Sequence, residues 1–254
     1  MIAKNRIKQI NSLQIKKYRH QEGLFTVEGV KSVGELLRSN LKIQEIFALE
    51  NWIETNSRLF EGVKITQASH DELKKISVME TPPPVVAIVH IPEQKNLVIT
   101  KQKLYLALDS VRDPGNLGTI LRIANWFGIE NVICSPDCTD IYNSKTIQAS
   151  MGSAFRVNTF YQPLDKILNQ FIQNELPVYG TFLNGENIYT AKLSAHGIIV
   201  LGNEGHGILP ETEKLITRRL LIPHFSTQDN APESLNVSTA TAVVCSEFMR
   251  RTKI

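Results

Sequence analysis

From Leu104 onward, short runs of Val, Ile and Leu alternate with helix-like stretches, and this alternation narrows the possible folds more than anything else in the chain. The runs are LYLALDSV, NVICS, VNTFY, PVYGTFL, GIIVLG and RLLIP. Helices are expected between and after them, from about Leu117 to Phe127, around 144–154, over 163–176, over 209–216 and over 234–250. The runs show little internal apolar/polar alternation, so both faces of each strand need covering. This disfavours a sheet with one wet face and predicts a parallel α/β sheet with helices on both sides. Such sheets bind ligands outside the carboxyl ends of their strands, so function is to be sought in the loops that follow them.

A smaller series precedes this one. LFTVEG (24–29), a helix through VKSVGELLRS, IQEIFALE (43–50), a helix through NWIETNSRLF, VKIT, and a helix after Ser69 lead to TPPP and VVAIVHI. Ser69 is a candidate N-cap for DELKKIS, with Leu73 and Ile76 on one face. The polar stretch that follows breaks the periodicity. The expected organisation is therefore a small α/β/α unit over residues 1–92, a linker over 93–103 and a larger unit over 104–254.

The formal net charge is only +3, which by itself announces no polyanionic partner. Its distribution says more, because Lys4, Arg6, Lys8, Lys16, Lys17 and Arg19 occur with no acid among the first twenty residues. Arg250, Arg251 and Lys253 cluster near the other end. Such groups can neutralise phosphates, although a solvated basic helix face has the same composition. No apolar run approaches a membrane span, and the first residues lack a secretory apolar core, so the expected location is cytoplasmic. Three cysteines make an odd count, and Cys134 and Cys138 have no second pair to complete a metal site, so reduced thiols and no metal are expected.

Three loops concentrate Gly, Pro, Asn and Ser. In DSVRDPGNLGTILRIANWFG (109–128), Pro114 and Gly115 form a turn, Asn116 leads into a helix and Arg122 lies in its first two turns. Asn116 reads equally as a helix cap, and Arg122 as a surface ion-pair partner. LGNEGHGI (201–208) carries Gly202, Gly205 and Gly207, which permit close backbone approach to a ligand. It fits neither G-x-G-x-x-G nor a P-loop, which disfavours a dehydrogenase or a P-loop NTPase. Glu204 can be a cap or a site acid, and His206 a polar loop residue. In the third loop, RLLIPHFSTQDNAPESLNVSTATAVVCSEFMRR (219–251), Ser234 and Asn236 stand at the mouth of an amphipathic helix, and Ser234 is expected to cap it. The residues alone imply a nucleotide-like pocket.

In this order the three blocks resemble the motifs of the SpoU, or TrmH-type, RNA 2′-O-ribose methyltransferases of the SPOUT superfamily. The patterns DPxNxGxxxRxAxxFG, GNEGxGI and IP…SLNVSxAxA carry the likeness over 104–254. KKYRHQEGLFTVEGVKSVGELL is similar to the ribosomal-protein-like substrate-binding domain often fused in front. The resemblance implies a SPOUT domain with a deep trefoil knot, an exception to the rule against threaded loops, preceded by a small α/β/α RNA-binding domain. It implies S-adenosylmethionine as cofactor and a homodimer packed through the knot region. It places catalytic roles on Arg122, Asn116, Glu204, Ser234 and Asn236, and cofactor contacts on Leu201, Gly202, Asn203, Glu204, Gly205, Leu221, Ile222, Pro223, Ser234 and Leu235. RNA contacts are expected at Lys16, Lys17, Arg19, Arg112 and Arg122. Arg122 is either a transiently neutral base or a cation that steers phosphate and stabilises an alkoxide.

Ribosomal RNA is the expected substrate, with transfer RNA as the nearer alternative. A non-catalytic RNA-binding or ribosome-assembly factor, or another nucleotide-binding α/β enzyme, are the competing classes. The chain departs from the family pattern at IPHFSTQDNAPESLN, where His224 stands in place of Met and no Gly precedes Ser234.

Overall fold

A computed structural model describes residues 1–56, 62–228 and 232–252. The expected helical stretch beyond Asn56, positions 229–231 of the third loop, and Lys253 lie outside the described residues. The first elements are α1 (Lys4–Ser12), α2 (Lys16–Glu22), β1 (Leu24–Glu28), α3 (Val30–Leu37), β2 (Ile43–Ala48), α4 (Glu50–Asn56), β3 (Ile65–Gln67), α5 (His70–Ile76) and β4 (Val85–His90). They are followed by β5 (Leu104–Leu108), α6 (Pro114–Trp126), β6 (Asn131–Cys134), α7 (Ser144–Ser150), β7 (Asn158–Tyr161) and α8 (Leu164–Gln173). The chain continues through β8 (Val178–Asn187), β9 (Gly197–Leu201), α9 (Pro210–Glu213), β10 (Arg218–Leu221) and α10 (Val237–Thr252). Two units result, Met1–Gln94 with Asp140–Arg156, and Lys95–Thr139 with Val157–Ile254.

In the first unit the strand order is β1-β4-β2-β3, with β4 antiparallel to both neighbours and β3 parallel to β2. Alternation along β4 divides its side chains between two cores. Val85, Ala87 and Val89 pack with Phe25, Val33, Leu36 and Trp52, whereas Val86 and Ile88 pack with Ile10, Leu13, Leu73 and Ile76. Ser69 caps α5 in a capping box, its Oγ accepting from Glu72 N while the Glu72 carboxylate accepts from Ser69 N at 3.0 Å.

Residues 140–156 fall within the expected 104–254 span, yet they cover this first sheet. Ile147 of α7 is buried among Phe25, Val27 and Val33, and the Tyr142 ring lies 4.8 Å from that of Phe25. Periodicity identifies an amphipathic helix but not the sheet that its apolar face will cover.

The second unit is a six-stranded sheet ordered β10-β8-β9-β5-β6-β7, with every pair parallel, as the uninterrupted apolar strands require. On one face α8 contributes Leu164, Ile167, Leu168 and Phe171, and Tyr105 meets Phe171 edge-on at 5.1 Å. On the other, Phe248 of α10 meets Tyr179 of β8 edge-on at 4.9 Å, and α10 packs beside α6. Edge-on ring pairs of this kind add about 0.5–1.5 kcal/mol beyond burial. Part of the expected linker belongs to this unit. Leu97 and Ile99 pack on its core, and Thr100 N donates to the Tyr105 hydroxyl at 2.8 Å.

The three cysteines are free and buried. Among the described residues no helix is long and apolar enough to cross a membrane, and no cluster of three His, Cys, Asp or Glu could hold a metal ion.

Candidate active site at the strand ends

α6 begins earlier than its apolar pattern suggests. Asp113 is the N-cap, accepting from Asn116 N at 2.7 Å, and Pro114 occupies the first helical position, where its missing N–H costs nothing. With the cap supplied by Asp113, the Asn116 side chain is released from capping. Its Nδ2 donates to Glu204 Oε1, and its Oδ1 accepts from Asn236 Nδ2 at 3.0 Å. One amide therefore ties together all three loops.

The second loop closes on itself. Asn203 N donates to Gly207 O and Gly207 N to Asn203 O, both at 2.9 Å. A Cβ on Gly202 would lie 2.1 Å from Gly207 C, so only glycine permits this closure. The Asn203 side chain fixes the loop further, with Nδ2 donating to Ser110 O and Oδ1 accepting from Gly205 N, both at 2.7 Å. Below it, buried Asp109 accepts from Leu209 N at 2.9 Å, which anchors the start of α9.

At the third loop the helix starts at Val237, and its cap is Asn236, not Ser234. Asn236 Oδ1 accepts from Ser238 N at 2.9 Å and from Ser238 Oγ at 2.6 Å. Ser234 is exposed two residues upstream, in a bend, with no side-chain hydrogen bond to the described residues. Residues 224–228 form no regular structure, and Phe225 is 81% exposed among them.

The structure thus brings together Asn116, Glu204 and Asn236. Arg122 is exposed and has no ion pair with the described residues. Six positions along α6 separate it from Asn116, which sets the two roughly 120° apart around the helix. Lys16 and Lys17 are exposed on α2, and Arg112 is exposed and paired with Asp137 at 3.1 Å. Arg19 is a correction to the expected RNA contacts. It is 3% exposed, pairs with Asp140 at 2.6 Å and donates to the Leu13 and Gln14 carbonyls, so its charge is spent inside the first unit.

Sequence reading missed Asp113 although Asp-Pro before an apolar helix is a start signal. It also missed Asp109, Ser110, Ser135 and Asp137, which no local pattern marks.

For a bound cofactor, these strand ends offer a glycine-closed loop beside an acidic side chain. Leu221, the last residue of β10, and Ile222 and Pro223 after it are half-buried, and Leu235 is 50% exposed, which supplies apolar surface suited to a planar base. The residues present therefore fit a nucleoside-bearing group.

Residues 103–246 match the model of the SpoU rRNA methylase family, and residues 4–87 that of the MRM3-like substrate-binding domain. The chain is 31% identical over 244 residues to the 23S rRNA (guanosine(2553)-2′-O)-methyltransferase RlmP of Bacillus subtilis, covering 95% of each protein. Its structure is similar to that of a TrmH-family protein from Porphyromonas gingivalis, with a TM-score of 0.89 and 38% identity over 99% of this chain and 100% of the other. It is also similar to an AdoMet-bound rRNA methyltransferase from Sinorhizobium meliloti, with a TM-score of 0.84 and 26% identity over 100% of this chain and 97% of the other.

Proposed function

The chain belongs to the SpoU rRNA methylase family, and from that premise we propose that it methylates a ribose 2′-hydroxyl of ribosomal RNA, with S-adenosylmethionine as donor. The observation that carries the reading is the hydrogen-bonded set of Asn116, Glu204 and Asn236, in which residues from three separate loops meet through one amide.

S-adenosylmethionine, when bound, supplies an electrophilic sulfonium methyl. The residues that would hold it are Leu201–Gly205, Leu221–Pro223, Ser234 and Leu235. The remaining task falls to this chain, which must position a weakly acidic hydroxyl and favour loss of its proton. Arg122, exposed and without an ion pair to the described residues, can meet a phosphate and stabilise the developing alkoxide. Asn116 holds Glu204 toward the site, and Asn236 fixes the Asn116 amide in the orientation that allows this. An exposed Ser234 hydroxyl is available to the ribose.

The accompanying proposals are a small RNA-binding domain within residues 1–92, a methyltransferase domain within 104–254, a knotted C-terminal path, a cytoplasmic location and a homodimer. Trp126, 84% exposed in the last turn of α6, supports a surface covered by a second copy.

The test incubates the protein with large-subunit rRNA from cells lacking the gene and maps ribose methylation by mass spectrometry. One new 2′-O-methyl is expected, together with near-complete loss of turnover and retained cofactor binding in Arg122→Ala. No new methyl, or unchanged turnover in that variant, refutes the reading.

A further inference from the structure

Ser110 is a buried non-glycine residue with φ 60, a left-handed conformation that costs about 1–2 kcal/mol and persists only where its surroundings enforce it. This backbone turn sends its two polar groups to different loops. Ser110 N donates to Ser135 Oγ at 2.9 Å, while Ser110 O accepts from Asn203 Nδ2 at 2.7 Å.

Ser135 passes the connection outward. Its hydroxyl donates to Asp137 Oδ1 at 2.6 Å, and Asp137 Oδ2 accepts from Arg112 Nη2 at 3.1 Å. The loop that holds Asp137 is itself braced, through Cys138 N to Ser135 O at 3.1 Å and Thr139 N to Val111 O at 3.0 Å. Burial pushes the Asp137 carboxyl up, but the hydrogen bonds from Ser135 and Arg112 outweigh it and hold the pKa at about 2. Asp137 is therefore ionised throughout the working pH range.

An exposed ion pair such as this one, 70% and 43% exposed, adds little stability. Its value lies elsewhere. One guanidinium nitrogen of a long flexible cation is tethered two residues after Ser110, while the same hydrogen-bond chain reaches the loop that carries Glu204.

We propose that Asp137, held by Ser135, is a positioning residue that presents Arg112 to a backbone phosphate of the substrate RNA beside the reacting ribose. The inference rests on the reading of RNA as substrate. It does not require methyl transfer to be observed, because RNA binding reports on it directly.

The experiment measures affinity for a fluorescein-labelled RNA hairpin over a series of potassium chloride concentrations, together with KM and kcat on undermethylated large-subunit rRNA. Arg112→Ala is expected to reduce the slope of log affinity against log salt by about 0.7–0.9, the loss of one phosphate contact. Asp137→Asn is expected to weaken RNA binding and raise KM several-fold with kcat within about twofold, and Asp137→Glu to recover part of the loss. In the double variant Asp137→Asn should add nothing to Arg112→Ala.

Bare electrostatics makes the opposite forecast, since removing an acid near RNA should tighten binding. Tighter or unchanged binding in Asp137→Asn, or additive losses in the double variant, overturns the proposal. Wild-type binding without methyl transfer would defeat the catalytic reading and leave this one standing.

Discussion

Gly202→Ala isolates the shape of the second loop from its side-chain chemistry. The new methyl would sit 2.1 Å from Gly207 C, 2.3 Å from Ile208 N and 2.4 Å from Gly207 O, all of them backbone atoms. Carbon contacts settle at about 3.5–4.0 Å, so the chain around residue 207 has to retreat by more than about 1 Å. The two Asn203–Gly207 hydrogen bonds, 2.9 Å each, cannot survive that displacement. At about 1 kcal/mol net per bond, the loss is about 2 kcal/mol, or a fall in melting temperature of about 4–8 °C for a chain of this size. If the cofactor depends on the closed loop, the same 2 kcal/mol lowers its affinity about 30-fold. Gly207→Ala is the comparison. Gly207 has φ +69 but open space where a Cβ would stand, so only left-handed strain of about 1 kcal/mol is added. Calorimetry with S-adenosylmethionine and thermal unfolding of both variants read the outcome. Affinity within threefold of wild type for Gly202→Ala, or equal damage from both substitutions, would refute the argument that steric closure shapes the site.

Two further outcomes concern the first unit. Asp140→Ala strands the Arg19 guanidinium at 3% exposure, so stability should fall by about 3–5 kcal/mol in urea unfolding, and a loss below about 1 kcal/mol would show the pair to be dispensable. Glu28 has its carboxyl pushed up by burial, partly opposed by hydrogen bonds from Ser77 and Val78. Its folded state therefore favours the proton, and its contribution is most favourable below the ordinary value of 4.5 and declines as pH rises through the raised folded value. Glu28→Gln should flatten that decline when denaturant midpoints are compared between pH 4 and pH 7.5, and an unchanged pH profile would contradict the burial argument.

The parallel sheet was legible because uninterrupted apolar strands leave few alternatives, and Ser69 because a capping box is a local pattern. The helix around 144–154 was legible but not its allegiance, since Ile147 needs only an apolar surface and the chain does not state which one. Arg19 shows the same limit for charge. Its five basic neighbours in sequence suggested a common face, and Asp140, over a hundred residues away, removed it from solvent. At the site, Asn116 and Asn236 could be named but their caps were misassigned. Asp113 caps α6 and Asn236 caps α10, and Ser234 makes no side-chain hydrogen bond to the described residues.

That double duty of Asn236 can be separated by chemistry. Its oxygen caps α10, and its amide nitrogen donates to Asn116 at 3.0 Å. Asn236→Asp keeps an acceptor for the cap and places negative charge at a helix N-terminus, where it is favoured by about 0.3–1 kcal/mol. It abolishes the donor, so the Asn116 oxygen faces another acceptor instead of an N–H. The Asn116 amide can recover a donor there only by flipping, which turns its oxygen toward Glu204. Either arrangement sets two acceptors against each other, a mismatch that water relieves in the exposed free site and that costs about 1–3 kcal/mol once bound substrate excludes the water. The expected result is unfolding stability within about 0.5 kcal/mol of wild type with kcat reduced about 10- to 100-fold. Asn236→Ala should lose both, with about 1 kcal/mol from the missing cap. Turnover close to wild type in Asn236→Asp would mean that the amide bridge is a by-product of capping and that Glu204 is held by other means.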